Sequence, residues 1–328
     1  MSYYQQLASG QLRLLATREP IERIVDDPQR DPALRARLAN ALQARAFASD
    51  VLHLPDNRSY RLYADIGRRY VVWNVFATDE FSLDPVTHCF PIAGCVAYRG
   101  YYSPGGARGE AAVQKLAGND VYVSGVEAYS TLGWFDDPIL SSMMGWGDER
   151  LATLIFHELA HQRFYVKDDT AFNESYANFV EQEGTRQWRR SRGLAAQKNV
   201  VTERRDQFTA LILDTREQLR QLYAQPLSPE VMRQRKQQAF ETMRQRYRQL
   251  RDGQWNGDNR FDAWIDAPMN NARLLPFGLY DHWVPAFAAL FREVGGDWPR
   301  FFEAVEALGG QPVRQRHDRL ESLMPPSS

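Results

Sequence analysis

Cysteine is nearly absent: two in 328 residues, so the fold must be held by its core and not by a framework of disulfides. No apolar run approaches the ~20 residues that cross a bilayer, and the opening MSYYQQLASGQL has no apolar signal core. No segment is therefore expected to cross a membrane as a helix. An excess of either charge is missing too, since 40 Lys and Arg stand against 41 Asp and Glu. That balance excludes a global pull towards nucleic acid or an anionic membrane, so any charged partner must be met locally. Internal repeats and low-complexity tracts are also lacking, which excludes a solenoid.

What is present is ample core material, 44% apolar and 12% aromatic residues. Residues 1 to about 54 read as helices, with Leu12, Leu14, Leu15, Ile21 and Ile24, then Leu34, Leu38, Leu42 and Phe47 at helical spacing. From Tyr60 to about Leu132 the pattern turns to short β-rich runs such as YVVWNVFA and DVYVSGVEAYSTL. After Asp136-Asp137-Pro138 it returns to helix. Over 202–251, Phe208, Leu211, Thr215, Leu219 and Leu222 share one face, as do Met232, Ala239, Met243, Tyr247 and Leu250. Ser228 and Pro229 between them are a helix start, so the stretch reads as an antiparallel helical hairpin with a solvated arginine-rich outer face. The expected class is α+β, mainly helical, with a small, mostly antiparallel sheet. Its parts are an N-terminal helical segment 1–58, a β-rich part 59–135 and a helical part 136–328, together forming one compact catalytic unit.

Cys89 and Cys95 flank Pro91 and Gly94 between two strand-like runs, a pattern for a hairpin turn with the sulfurs opposite. A hairpin disulfide is the expectation, implying an oxidising compartment; two buried free thiols and a two-cysteine metal site are the alternatives.

The strongest chemical signal is LIFHELAHQRF. His157 and His161, four apart on an apolar-rich helix, project from one face and can converge on one ion, with zinc the natural guest for two imidazoles. Glu158 sits beside them, placed to hold a water and act as general base in hydrolysis. A catalytic site needs a third protein ligand, and FNESYANFVEQEG offers Glu174 and Glu181, seven residues apart on one helical face. Only one can reach the ion. Asn178, one turn beyond Glu174, faces the same way and is a candidate hydrogen-bond partner for a ligand.

HELAHQ followed by NESYANFVE resembles the paired motifs of the aminopeptidase N-like gluzincins. The order SYYQQLASGQLRLL, CFPIAGCVAYRGYY, AYSTLGWFDDP, HELAHQ, NESYANF and NNARL resembles, over most of the chain, a bacterial family of predicted aminopeptidases. The resemblance implies a zincin-like metallopeptidase fold, one zinc per chain, and Glu174 as third ligand, with Glu181 the alternative. It also implies that GVEAYSTLG occupies the place of the edge strand that binds substrate backbone, putting Glu127 and Tyr129 at the substrate and Glu127 in position to pair with a free amine. For the oxyanion donor the candidates are Tyr280, which fits the family pattern better, and His282.

The function expected is thus a zinc aminopeptidase acting on short peptides. The alternatives are a zinc endopeptidase and a non-catalytic zinc-stabilised binding protein. Peptides are the expected partners and nucleic acid is not. Relatives commonly begin with a lipoprotein signal, so a periplasmic or lipid-anchored location is expected, with any membrane attachment through an anchor this chain does not carry; a cytoplasmic location is the alternative.

Overall fold

The computed structural model describes residues 3–90, 94–194, 200–277 and 282–325. Its strands are β1 (Arg18–Pro20), β2 (Leu62–Ala64), β3 (Val72–Thr78), β4 (His88–Phe90), β5 (Gly94–Val96), β6 (Tyr98–Tyr101), β7 (Asp120–Val126) and β8 (Ile139–Leu140). The helices are α1 (Tyr3–Ala16), α2 (Ile21–Asp26), α3 (Pro32–Asp50), α4 (Pro104–Leu116), α5 (Asp148–Arg163), α6 (Thr170–Ser191) and α7 (Val200–Tyr223). They continue with α8 (Pro229–Gln249), α9 (Asp262–Ile265), α10 (Asn271–Leu274), α11 (Val284–Glu293), α12 (Trp298–Gly309) and α13 (Val313–Leu323). The class is α+β.

The chain groups into two units, and each is discontinuous. One comprises Met1–Val72, Gly125–Ala196 and Leu279–Ser328, the other Trp73–Ser124 and Gln197–Gly278. The middle of the β-rich stretch, Trp73–Ser124, and the helical hairpin, far apart in sequence, belong to the same unit because buried side chains such as Leu83 and Phe240 share one core.

In the first unit, β1 pairs antiparallel with β2, which pairs parallel with β8. A purely helical reading of the first 54 residues misses β1, because three residues ending in proline carry no periodicity. The core lies around α5 and α6. Along α5, Leu151, Ala152, Ile155, Phe156 and Leu159 are buried, and along α6, Phe172, Tyr176, Phe179 and Val180. Tyr176 and Phe179 meet a cluster of rings from α11 and α12, with Phe179 and Phe301 centroids 5.1 Å apart. Each such fully buried ring contributes about 2–3 kcal/mol through burial.

The two helices run antiparallel, as their side-chain pairs show: Arg189 bonds Glu149, and Thr185 meets Thr153 at 3.0 Å. Gly184 permits their close approach, since a Cβ there would fall 2.7 Å from Leu52 and 3.2 Å from Phe156. The turn between them is pinned by Asn173, whose amide accepts from Val166 N–H at 2.8 Å and donates to Val166 C=O at 2.6 Å. Asp169 caps α6 through Phe172 N–H and takes two bonds from the buried Arg316 of α13. These ties fix the rotational phase of α6 against α5.

In the second unit, the order β6-β3-β7 makes a small sheet and β4-β5 a hairpin in which Cys89 and Cys95 are opposite and disulfide-bonded. Helices α7 and α8 form the expected hairpin. Ser228 accepts from Val231 N–H with Pro229 in the first turn, and Phe208, Leu211, Leu219, Met232, Phe240 and Met243 are buried. A buried pair, Lys236 with Asp120 at 2.6 Å, is completed by Asn271, whose N–H donates to the same carboxylate oxygen.

Candidate metal centre

The helix pitch sets the first step. His157 and His161 lie one turn apart on α5, on the side facing α6. Their Nε2 atoms are 3.1 Å apart. Glu174, in the first turns of α6, places Oε2 3.4 Å from His157 Nε2 and Oε1 3.6 Å from His161 Nε2. Among the described residues these three form the group of ligand atoms able to hold a metal ion. The remaining candidate, Glu181, sits elsewhere: its Oε2 is 3.0 Å from His157 Nδ1, on the far side of the ring. Because α6 runs antiparallel to α5, seven residues carry Glu181 about 10 Å along the axis from Glu174. It therefore accepts the Nδ1 proton and fixes the ring with Nε2 turned inward, the usual partnership of a carboxylate with a ligating histidine. His161, only 5% exposed, is oriented by packing, and its Nδ1 finds no hydrogen-bond partner among the described residues.

Burial alone would keep His157 neutral, but the carboxylates of Glu174, Glu181 and Glu158 outweigh it and raise its pKa well above the ordinary value. Burial likewise opposes charge on Glu174, and the two imidazoles override it, holding the carboxylate far below its usual range.

The other expected residues fall as follows. Glu158 is half-buried, close enough to act on His157 and on the buried phenol of Tyr60. Asn178 is half-buried on α6. Tyr280 lies outside the described residues. His282 is exposed and meets the Trp283 ring edge-on, and the backbone N–H of Trp283 donates to Ser175, the residue after Glu174. Of the run GVEAYSTLG, only Gly125 and Val126 belong to β7. Tyr129 is half-buried beyond it, and Leu132 and Gly133 turn at φ 55° and 81°. The run is thus a strand end followed by a tight turn, a correction to its reading as one continuous edge strand.

That turn is built into the site. The buried Asp137 carboxylate accepts from Thr131 N–H at 3.0 Å and Thr131 Oγ1 at 2.7 Å. A Cβ on Gly133 would fall 3.0 Å from Gln162, the residue after His161, so the turn lies directly on α5. Gln162 in turn bonds Asn57 and Ser59. The loop carrying those two is gripped by buried Arg45 through the carbonyls of Pro55, Asn57 and Ser59, and burial lowers that guanidinium to about 10.

Two residues escape a reading of the sequence. Tyr165, four after His161, has its ring centroid 6.1 Å from the His161 ring, and burial and the charge of Glu174 raise its pKa. It gives no periodic signal, because α5 ends at Arg163 and Tyr165 comes back to His161 through the extended backbone at Phe164. Gln162 gives no local signal, since its partners are a hundred residues away.

The packing of α6 on α5 thus brings two imidazoles and a carboxylate together, with a second carboxylate beside them. The chain belongs to the Putative aminopeptidase family, whose model matches residues 2–320, and that membership points to a peptidase. Searches of the curated proteins and of the solved structures return no match.

Proposed function

We propose that the protein is a zinc-dependent aminopeptidase, with His157, His161 and Glu174 as ligands and Glu158 as general base. The observation that carries the proposal is the spacing of the three donors. Zinc bonded at about 2.0–2.2 Å in tetrahedral geometry holds its donors about 3.3–3.5 Å apart; here the two Nε2 atoms are 3.1 Å apart, and the Glu174 carboxylate brings Oε2 to 3.4 Å from His157 Nε2 and Oε1 to 3.6 Å from His161 Nε2. The donor chemistry, two nitrogens and one carboxylate, leaves a fourth position open as catalytic sites require. Bound there, the metal would supply Lewis acidity, polarising the peptide carbonyl and acidifying a water.

The residues of the chain do the rest. Glu158, adjacent to a ligand but outside the triad, takes the water's proton on its carboxylate and returns it to the leaving amine. Glu181 keeps the His157 ring in the tautomer that offers Nε2. Of the phenols among the described residues, Tyr165 lies beside His161 and under the influence of Glu174, and is the candidate donor to the developing oxyanion; Tyr280 and His282 remain the candidates from the family pattern. The Cys89–Cys95 disulfide supports an oxidising, periplasm-like location.

Metal analysis of the purified chain should find about one zinc per chain. Glu174→Ala should lose it and Glu181→Ala should keep it with weaker affinity. The reverse pattern, zinc kept without Glu174 and lost without Glu181, overturns the ligand assignment. Free-amine peptides should be cleaved and N-acetylated ones spared; efficient internal cleavage of blocked peptides overturns the aminopeptidase reading.

A further inference from the structure

Two arginines stand exposed around a cleft near the start of α5. Arg150, with 65% of its side chain exposed, lies 4.1 Å over the Trp146 ring, and Arg69, 77% exposed, lies 5.1 Å over Tyr70. Each guanidinium thus rests on an aromatic face, which fixes its plane and lowers the entropy lost on binding a ligand. Arg150, Tyr70 and Trp146 line the cleft, of about 410 Å³, together with the chain from Gly125 to Ala128. Gly125 makes room for it, since a Cβ there would fall 2.4 Å from the Tyr70 ring.

Glu127 is the acid in the cleft wall, and it is already engaged. Trp146 Nε1 donates to it at 2.7 Å, while Arg69 and Arg150 stand 3.7 and 4.0 Å from its two oxygens. One carboxylate between two guanidiniums leaves a positive charge in excess. Neither arginine is within hydrogen-bond distance of Glu127, so both have donors to offer. A substrate ammonium would meet this excess as repulsion; an anion would be drawn in.

The position along α5 says which anion. Arg150 precedes His157 by seven residues, about 10 Å along the helix axis, which is the reach of about three extended residues. Between these levels the chain from Glu127 to the turn at Gly133 runs beside α5, tied at Arg150 and at Gln162. The geometry points to the Arg69–Arg150 cleft as the receptor for the C-terminal α-carboxylate of a short peptide, making peptide acids of about three residues the substrate class of the peptidase proposed above, on which this inference rests. Guanidinium donors take a carboxylate in paired, charge-assisted bonds that an amide cannot replace. A longer peptide would have to carry its carboxylate past the cleft.

Calorimetric titration of the metal-loaded Glu158→Gln chain with tri-alanine acid, tri-alanine amide and an amide with glutamate third tests it. The acid should bind at least about tenfold more tightly than either amide. Arg150→Gln and Arg69→Gln, placed separately in that background, should each pull the acid-to-amide ratio towards one, and the same ratio should appear in kcat/KM without the Glu158 change. Equal binding of acid and amide, or a ratio untouched by both arginine substitutions, overturns the site. The glutamate-bearing amide matching the acid overturns the terminal-carboxylate assignment. Should the acid bind in an arginine-dependent way while no peptide is hydrolysed, the cleft stands and the peptidase reading falls; hydrolysis of acid and amide alike does the opposite.

Discussion

The protein contains two long antiparallel helix pairs built on opposite principles. Between α7 and α8 the inner faces are apolar, with Phe208, Leu211, Met232, Phe240 and Met243 in one core, and the charged partners, such as Arg246 and Asp214, lie outside. Between α5 and α6 the apolar stripe is shared with polar pairs that meet inside: Thr153 with Thr185, and His157 with Glu174 and Glu181. The first arrangement gives stability and needs no rotational precision beyond good packing. The second holds titratable groups at fixed separations in a partly dry interface, which is expensive unless neighbours hold the register. Asn173, Gly184, Arg316 and Arg45 are those neighbours. A site is found where a helix pair tolerates polarity, and its location follows from what surrounds the pair.

The largest test of this contrast is chemical. Glu158→Gln should lower turnover by about 10²–10⁴-fold, the range for removing a general base, while zinc content stays near one per chain. Undiminished turnover would remove the polar pair from catalysis. Next comes the apolar pair: Phe240→Ala should cost about 3–5 kcal/mol in urea unfolding without changing the metal affinity of the folded chain. A parallel loss of metal affinity would mean that the two pairs are not energetically separate. Glu181→Ala should weaken zinc about 10–100-fold and leave the three ligands in place; an unchanged affinity would show that His157 needs no partner.

Acid separates the pairs further. Burial opposes charge on Asp169, but Arg316, Phe172 N–H and His317 prevail and hold its carboxylate below the usual range. With the folded value depressed, its stabilisation is present above the unfolded value near ~3.9 and is lost as pH falls through the folded one. Unfolding midpoints should therefore drop below about pH 4, and Asp169→Asn should flatten that drop while costing stability at neutral pH. Smallest of all, Asp214→Asn should remove the exposed pair with Arg246 on the hairpin and shift Tm by less than about 2 °C.

Much of this was written in local pattern. The helical pitch puts His157 and His161 on one face whatever the rest of the chain does, and the apolar spacing over 202–251 with Ser228-Pro229 between its halves yields the hairpin with its cap. The spacing of the cysteines across Pro91 and Gly94 suggests opposite positions, and the antiparallel register of β4 on β5 pairs them. Other features have no local signal. Glu174 and Glu181 are equivalent by spacing, and only the antiparallel packing of α6 on α5, phased by Asn173 and Gly184, sends one to the Nε2 side of His157 and the other to Nδ1. The surroundings of Glu127 are likewise non-local: Trp146 and Arg150, about twenty residues on, and Arg69 from well before it gather around its carboxylate. The division into two units depends on where the chain leaves one core and returns to it. Periodicity and capping act over a few residues and are fixed by backbone geometry. The field felt by a carboxylate, and the face of a ring it meets, are sums over neighbours that only the folded chain brings together.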